Sequence, residues 1–192
     1  QEWRNLYEMA ARQSLIGIIF KALEQLPNDD KPDTNLMLEW YGWTMQLKEM
    51  NRLMNAEAAR LTRMFAAQGC RSAVLKGQAN ARLYKSRTYI TDILSPADIK
   101  ERAELVKCHT DNKVCTDNLA LFRQPGDIDI WVDGGRTKVI NVLMRSGLLE
   151  EKPVSSNTLK FQKTSLSYHH VHLPANDYGV SVEVHFRPSS GN

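Results

Sequence analysis

The sequence predicts an α+β fold: a helical hairpin at the N-terminus, followed by a strand-bearing core with a helix inside it. Three observations carry this prediction. Apolar residues recur at helical spacing from Glu2 to Gln68. The stretch Gly126-Asp127-Ile128-Asp129-Ile130-Trp131-Val132 alternates between acidic or aromatic residues and aliphatic ones. A further set of alternating segments closes the chain. With 192 residues and 42% hydrophobic composition, the chain can bury one substantial core plus a helical addition. We divide it at residue 68, with 1–68 as helical segment and 69–192 as core.

The first helical pattern runs from Glu2 to Leu26 through Leu6, Met9, Ala10, Ile16, Ile19, Phe20 and Leu23, with a break expected near Gln13-Ser14 and an end at Pro27-Asn28-Asp29-Asp30. A second, longer helix follows Pro32-Asp33-Thr34. Its apolar stripe is Leu36, Trp40, Trp43, Leu47, Met50, Met54, Leu61 and Phe65, all assigned to the core, and Gly69 is its stop. Ser72 to Leu75 reads as a strand, Lys76-Gly77 as a turn, and Gln78 to Tyr84 as a helix. Backbone N–H groups at such a helix start can approach a phosphate, with Lys76 adding a point charge. Ser95-Pro96-Ala97-Asp98 opens a helix to about Cys108, and 109–118 reads as an exposed excursion. After the acidic strand, Asp133-Gly134-Gly135 turns the chain into a helix from Lys138 to Ser146, closed by Gly147. Thr158 to Lys163, Leu166 to Leu173 and Gly179 to Phe186 then form an antiparallel meander.

Composition narrows the function. Net charge is +3; residues 1–68 carry 8 Lys/Arg against 9 Asp/Glu, and residues 69–192 carry 17 against 13. The small basic excess lies with the core and suits a nucleotide or another small anion, far short of a dedicated nucleic-acid binder. Cys70, Cys108 and Cys115 are too few for a disulfide framework and match no zinc spacing, which points to a reducing cytoplasm. No apolar run is long enough to cross a bilayer, so no membrane partner is expected. The chain begins at Gln1 inside a helical pattern and stops soon after a strand-like segment, so we expect it to be a fragment of a longer protein.

The acidic strand carries the chemistry. Side chains on a strand alternate, so Ile128, Ile130 and Val132 face one way and Asp127, Asp129 and Trp131 the other. Two same-face carboxylates sit roughly 6.6 Å apart along the backbone. They repel unless a cation or a basic partner stands between them, and their oxygens suit a hard cation such as Mg²⁺ or Mn²⁺. The plainer reading has Asp127 capping the turn after Pro125-Gly126 while Asp129 lies solvated. In the last strand Val180, Val182, Val184 and Phe186 share one face, which leaves Glu183 with Ser181, His185 and Arg187 on the other. Arg123, just before the Pro-Gly turn, could reach a triphosphate or neutralise the two aspartates.

Taken in order, Val74-Leu75-Lys76-Gly77, then Arg123-Gln124-Pro125-Gly126-Asp127-Ile128-Asp129-Ile130-Trp131-Val132, then Val182-Glu183-Val184-His185-Phe186-Arg187, the chain resembles a poorly characterised bacterial nucleotidyltransferase-like family of the polymerase-beta superfamily. The resemblance spans about residues 70–188. It implies a mixed sheet flanked by helices, with metal-binding carboxylates at Asp127, Asp129 and Glu183, and Lys76, Gly77, Arg123 and Gly126 near the triphosphate. The implied reaction is Mg²⁺- or Mn²⁺-dependent transfer of a nucleoside monophosphate from an NTP to a hydroxyl. Sugar, antibiotic, protein and nucleic acid all stay open as acceptors. Gln78 stands where the superfamily usually has a small hydroxyl residue. Two other readings are carried forward. One is a non-catalytic nucleotide- or partner-binding module of the same fold. The other is a zinc hydrolase in which His170 and His172 join His185.

Overall fold

A computed structural model describes residues 2–83, 119–149, 167–174 and 176–187, and it shows an α+β architecture. Contacts divide the chain into two units, Gln1–Lys48 with Ala81–Gln124, and Glu49–Asn80 with Pro125–Asn192. The expected helix over 95–108, the excursion over 109–118 and the strand over 158–163 lie outside the described residues.

In the first unit the N-terminal pattern forms two helices, α1 (Glu2–Arg12) and α2 (Ile16–Leu23). The break falls where expected. Ser14 takes a left-handed backbone (φ 60°), and Leu15 N–H and Ser14 N–H close back onto Ala10 O and Ala11 O in a Schellman arrangement. Helix α3 (Thr34–Ala67) starts at Asp33, whose side chain accepts from Asn35 N–H and Leu36 N–H. Trp40 is fully buried, donates through its indole N–H to Ile16 O at 2.8 Å, and packs edge-on to Tyr7. Tyr7, Ala10, Phe20, Leu23, Leu36 and Trp40 make the core of this unit.

Two residues of the expected stripe on α3 fall short of full burial, and one of them, Met50, is partly buried against the core. The other, Trp43, is half exposed. The buried positions are Leu36, Trp40, Thr44, Leu47, Asn51, Met54, Ala58, Leu61 and Phe65, so the helix keeps a spacing of four and three that passes through two polar residues and leaves Trp43 outside it. Thr44 satisfies its hydroxyl on Trp40 O at 2.8 Å. At the other end, Gly69 (φ 69°) closes α3 as Cys70 N–H returns to Phe65 O.

The second unit holds one four-stranded mixed sheet in the order β1 (Ser72–Val74), β2 (Ile128–Val132), β4 (Val182–His185), β3 (His170–His172). β1 runs antiparallel to β2, β2 parallel to β4, and β3 antiparallel to β4. Within the expected meander the last two strands do pair antiparallel, but they are shorter than their sequence patterns. Asn176 shapes the turn between them, its side chain accepting from Tyr178 N–H and Val180 N–H. Helix α4 (Gly135–Arg145) follows β2 and buries Val139, Val142 and Leu143. Ile128, Ile130, Val132, Val171, Val182 and Val184 pack one sheet face against these residues and against Met54, Ala58, Leu61 and Phe65.

One expectation fails here. Instead of a helix from Gln78 to Tyr84, the chain makes a short 3-10 turn over Asn80–Leu83. The Gln78 side chain is buried and donates to Asn51 O and Asn55 Oδ1 on α3, which holds the chain after Gly77 in a tight turn. Seven helix-forming residues alone do not outweigh such an anchor. A turn this short also lacks the dipole that would draw a phosphate to a helix start.

Ile128 and Val184 are 1% and 0% exposed. An unpaired buried carboxylate costs several kcal/mol, comparable with a domain's whole margin of about 5–15 kcal/mol. Ile128→Asp and Val184→Asp are therefore expected to lose cooperative unfolding in thermal circular dichroism. Variants that melt with the parent would reverse the assignment of the sheet faces.

Candidate metal and nucleotide site

The registers decide what meets on the other sheet face. In the parallel pair Asp129 lies opposite Glu183 and Trp131 opposite His185; in the antiparallel pair His172 lies opposite Glu183 and His170 opposite His185. Neighbouring strands are only about 4.8 Å apart, so these residues form two polar rows across three strands. One row is Asp129, Glu183, His172, and the next is Trp131, His185, His170. Asp127 precedes β2 on the same face as Asp129.

Asp127, Asp129 and Glu183 each offer a carboxylate oxygen, and these three atoms lie within 4.8 Å of one another. Asp129 is 1% exposed, which rules out the solvated alternative. It has two polar partners. Lys76 Nζ stands 3.1 Å from Oδ2 and His185 Nε2 stands 2.9 Å from Oδ1. Glu183 is flanked by His172 Nδ1 at 3.4 Å and His185 Nε2 at 3.5 Å. Hydrogen bonding to Asp129, and then the Asp129 charge, hold the Lys76 ammonium above the ordinary lysine range; Asp127 and Glu183 add to this. Burial pushes the His170 imidazole below the ordinary histidine range, opposed by the Glu183 charge. His170 Nε2 lies 3.1 Å from His172 Nε2.

Of the expected triphosphate residues, Lys76 and Gly77 (φ 57°) belong to this unit and follow β1, while Gly126 is exposed beside Asp127. Arg123 belongs to the first unit, where its guanidinium donates to Gln124 O. The residue that sequence reasoning left out of the carboxylate group is His185. Its signal was present: it shares Glu183's face two positions along the same strand. For zinc, His170 and His185 group with Glu183, whereas His172 belongs to neither of the two three-ligand groups found among the described residues.

Residues 1–88 match the model of a family described as an uncharacterised nucleotidyltransferase. The match supports a general nucleotidyltransferase role. It covers the N-terminal helices and the Lys76-Gly77 turn and ends before the acidic strand, so it overlaps the motif resemblance only over about residues 70–88. No curated protein and no solved structure matches the chain.

Two unpartnered carboxylates repel, so losing one would cost little stability, but Asp129 has partners that make its removal costly. Asp129→Ala leaves the mostly buried His185 without its acceptor and should destabilise the protein by about 1–3 kcal/mol in urea unfolding. The milder Asp129→Asn should lower the Lys76 pKa toward its ordinary value, read from the pH dependence of the lysine ε-methylene NMR signals. Because the folded value is raised, the stabilisation from this pair is complete below the ordinary lysine pKa and is lost as pH climbs through the folded one. An unchanged titration would mean that Lys76 does not pair with Asp129 in solution.

Proposed function

We propose that the protein is a Mg²⁺- or Mn²⁺-dependent nucleotidyltransferase that moves a nucleoside monophosphate from an NTP to an acceptor hydroxyl. The convergence of Asp127, Asp129 and Glu183 from two parallel-paired segments carries the reading. The donor set fits the cation: three carboxylates offer hard oxygen ligands at one point on the sheet. When bound, two such ions would lower the pKa of the attacking hydroxyl and neutralise charge on the departing pyrophosphate.

The chain's own residues supply the rest. Lys76 pairs with Asp129 and its side chain is 62% exposed, so its ammonium can also reach a triphosphate held at the carboxylates. By their place in the motifs, Lys76, Gly77 and Gly126 are the residues proposed for the triphosphate. Glu183 is less buried than Asp129 and is the carboxylate proposed to accept the proton of the acceptor hydroxyl. His172 and His185 on either side of Glu183 would fix its orientation.

The Lys76–Asp129 pair also favours a second reading. A lysine that itself neutralises the buried carboxylate is what a nucleotide-binding module that has lost turnover would keep.

Binding and single-turnover measurements separate the two. Asp127→Ala and Asp129→Asn are expected to abolish Mg²⁺-dependent triphosphate binding and transfer. Glu183→Gln should lower triphosphate affinity modestly and transfer by at least about a hundredfold, the scale of lost general-base assistance. If the aspartate variants bind Mg²⁺ and triphosphate like the parent, the site lies elsewhere. If the parent binds triphosphate but transfers to no acceptor in a mass-spectrometric panel, the binding-module reading stands.

A further inference from the structure

The polar sheet face carries more nitrogen than a carboxylate-only cation site needs. His170 and His185 face each other across the β3/β4 pairing, and each brings one ring nitrogen within 4.8 Å of the other and of a Glu183 oxygen. A tetrahedral or five-coordinate ion with ligands at about 2.0–2.2 Å holds donors at comparable separations. His185 is 12% exposed, and its Nε2 lies 3.5 Å from Glu183 Oε2 and 2.9 Å from Asp129 Oδ1, so the imidazole is held inside the cluster. His170 Nδ1 is buried with no hydrogen-bond partner among the described residues, an unmet requirement in the same cluster. Imidazole nitrogen suits zinc-class ions, whereas Mg²⁺ prefers oxygen and an octahedral shell.

We propose that His170, Glu183 and His185 form a binding site for a zinc-class divalent ion, adjacent to the all-oxygen group of Asp127, Asp129 and Glu183 and sharing Glu183 with it. A shared carboxylate can bridge two ions about 3.5–4 Å apart, so the two groups can be filled together by different metals. The site differs from the three-histidine arrangement suggested by the sequence, because Glu183 takes the place of His172. It stands on the ligand geometry and does not depend on nucleotidyl transfer.

The test is calorimetric titration of Zn²⁺ alone into the full chain with excess Mg²⁺ present, together with ¹⁵N spectra of the histidine rings. One Zn²⁺ per chain should bind despite Mg²⁺, shifting ring nitrogens of both His170 and His185. His170→Ala and His185→Ala should each weaken binding by about tenfold or more. Zinc binding that survives both substitutions, or that is lost with Asp127→Asn while His170→Ala leaves it intact, assigns the ion to another group and overturns the proposal. Unshifted ring nitrogens in the unmodified chain overturn it too, whatever the variants do. Nucleotide is absent throughout, so failure here leaves the transfer reading untouched, and failure of Mg²⁺-triphosphate binding leaves this one untouched.

Discussion

A nearly fully buried carboxylate in the middle of a sheet is the constraint on which the second unit turns. Asp129 has Ile128 and Ile130 as chain neighbours, both committed to the core, so it cannot swing into water without dragging β2 out of register. Its charge must be met where it is. Lys76 from the turn after β1 and His185 from β4 do this, so the two strands that flank β2 each supply a positive or polarisable group to the same carboxylate. A divalent cation would answer the same demand at the same carboxylate.

Period-two alternation made the faces of β2 and β4 legible. It separated Ile128, Ile130, Val182 and Val184 from Asp127, Asp129 and Glu183 with no knowledge of how the strands pair. Alternation says nothing about which strand lies beside which, or at what offset. The parallel pairing of β2 with β4 sets Asp129 against Glu183, and the antiparallel return of β3 brings His170 and His172 to the same face. Both are non-local facts. The Lys76–Asp129 contact was hidden for the same reason, since a lysine beside a glycine reads locally as a phosphate contact.

The helices show where local signals suffice. Asp33 as cap and Gly69 as stop bound α3 almost to the residue, and Ser14 marks the break before α2 even without glycine. Two readings went astray for tertiary reasons. Trp43 looked like core because it falls at helical spacing in the apolar stripe, yet the buried face of α3 runs through Thr44 and Asn51. The residues after Gly77 favour helix by composition, but Gln78 commits its amide to α3 and keeps the chain in a turn.

The parallel neighbours β2 and β4 are separated in sequence by α4, β3 and the residues between them. Closing so long a loop costs entropy before any strand contact repays it, and parallel pairing is the slow step of such topologies. The helical stretches can form early from local contacts. The carboxylate face cannot, because no segment of the chain contains it. It comes into being only when the last strand docks beside the acidic one, so a chain caught before that event would be largely helical and chemically blank.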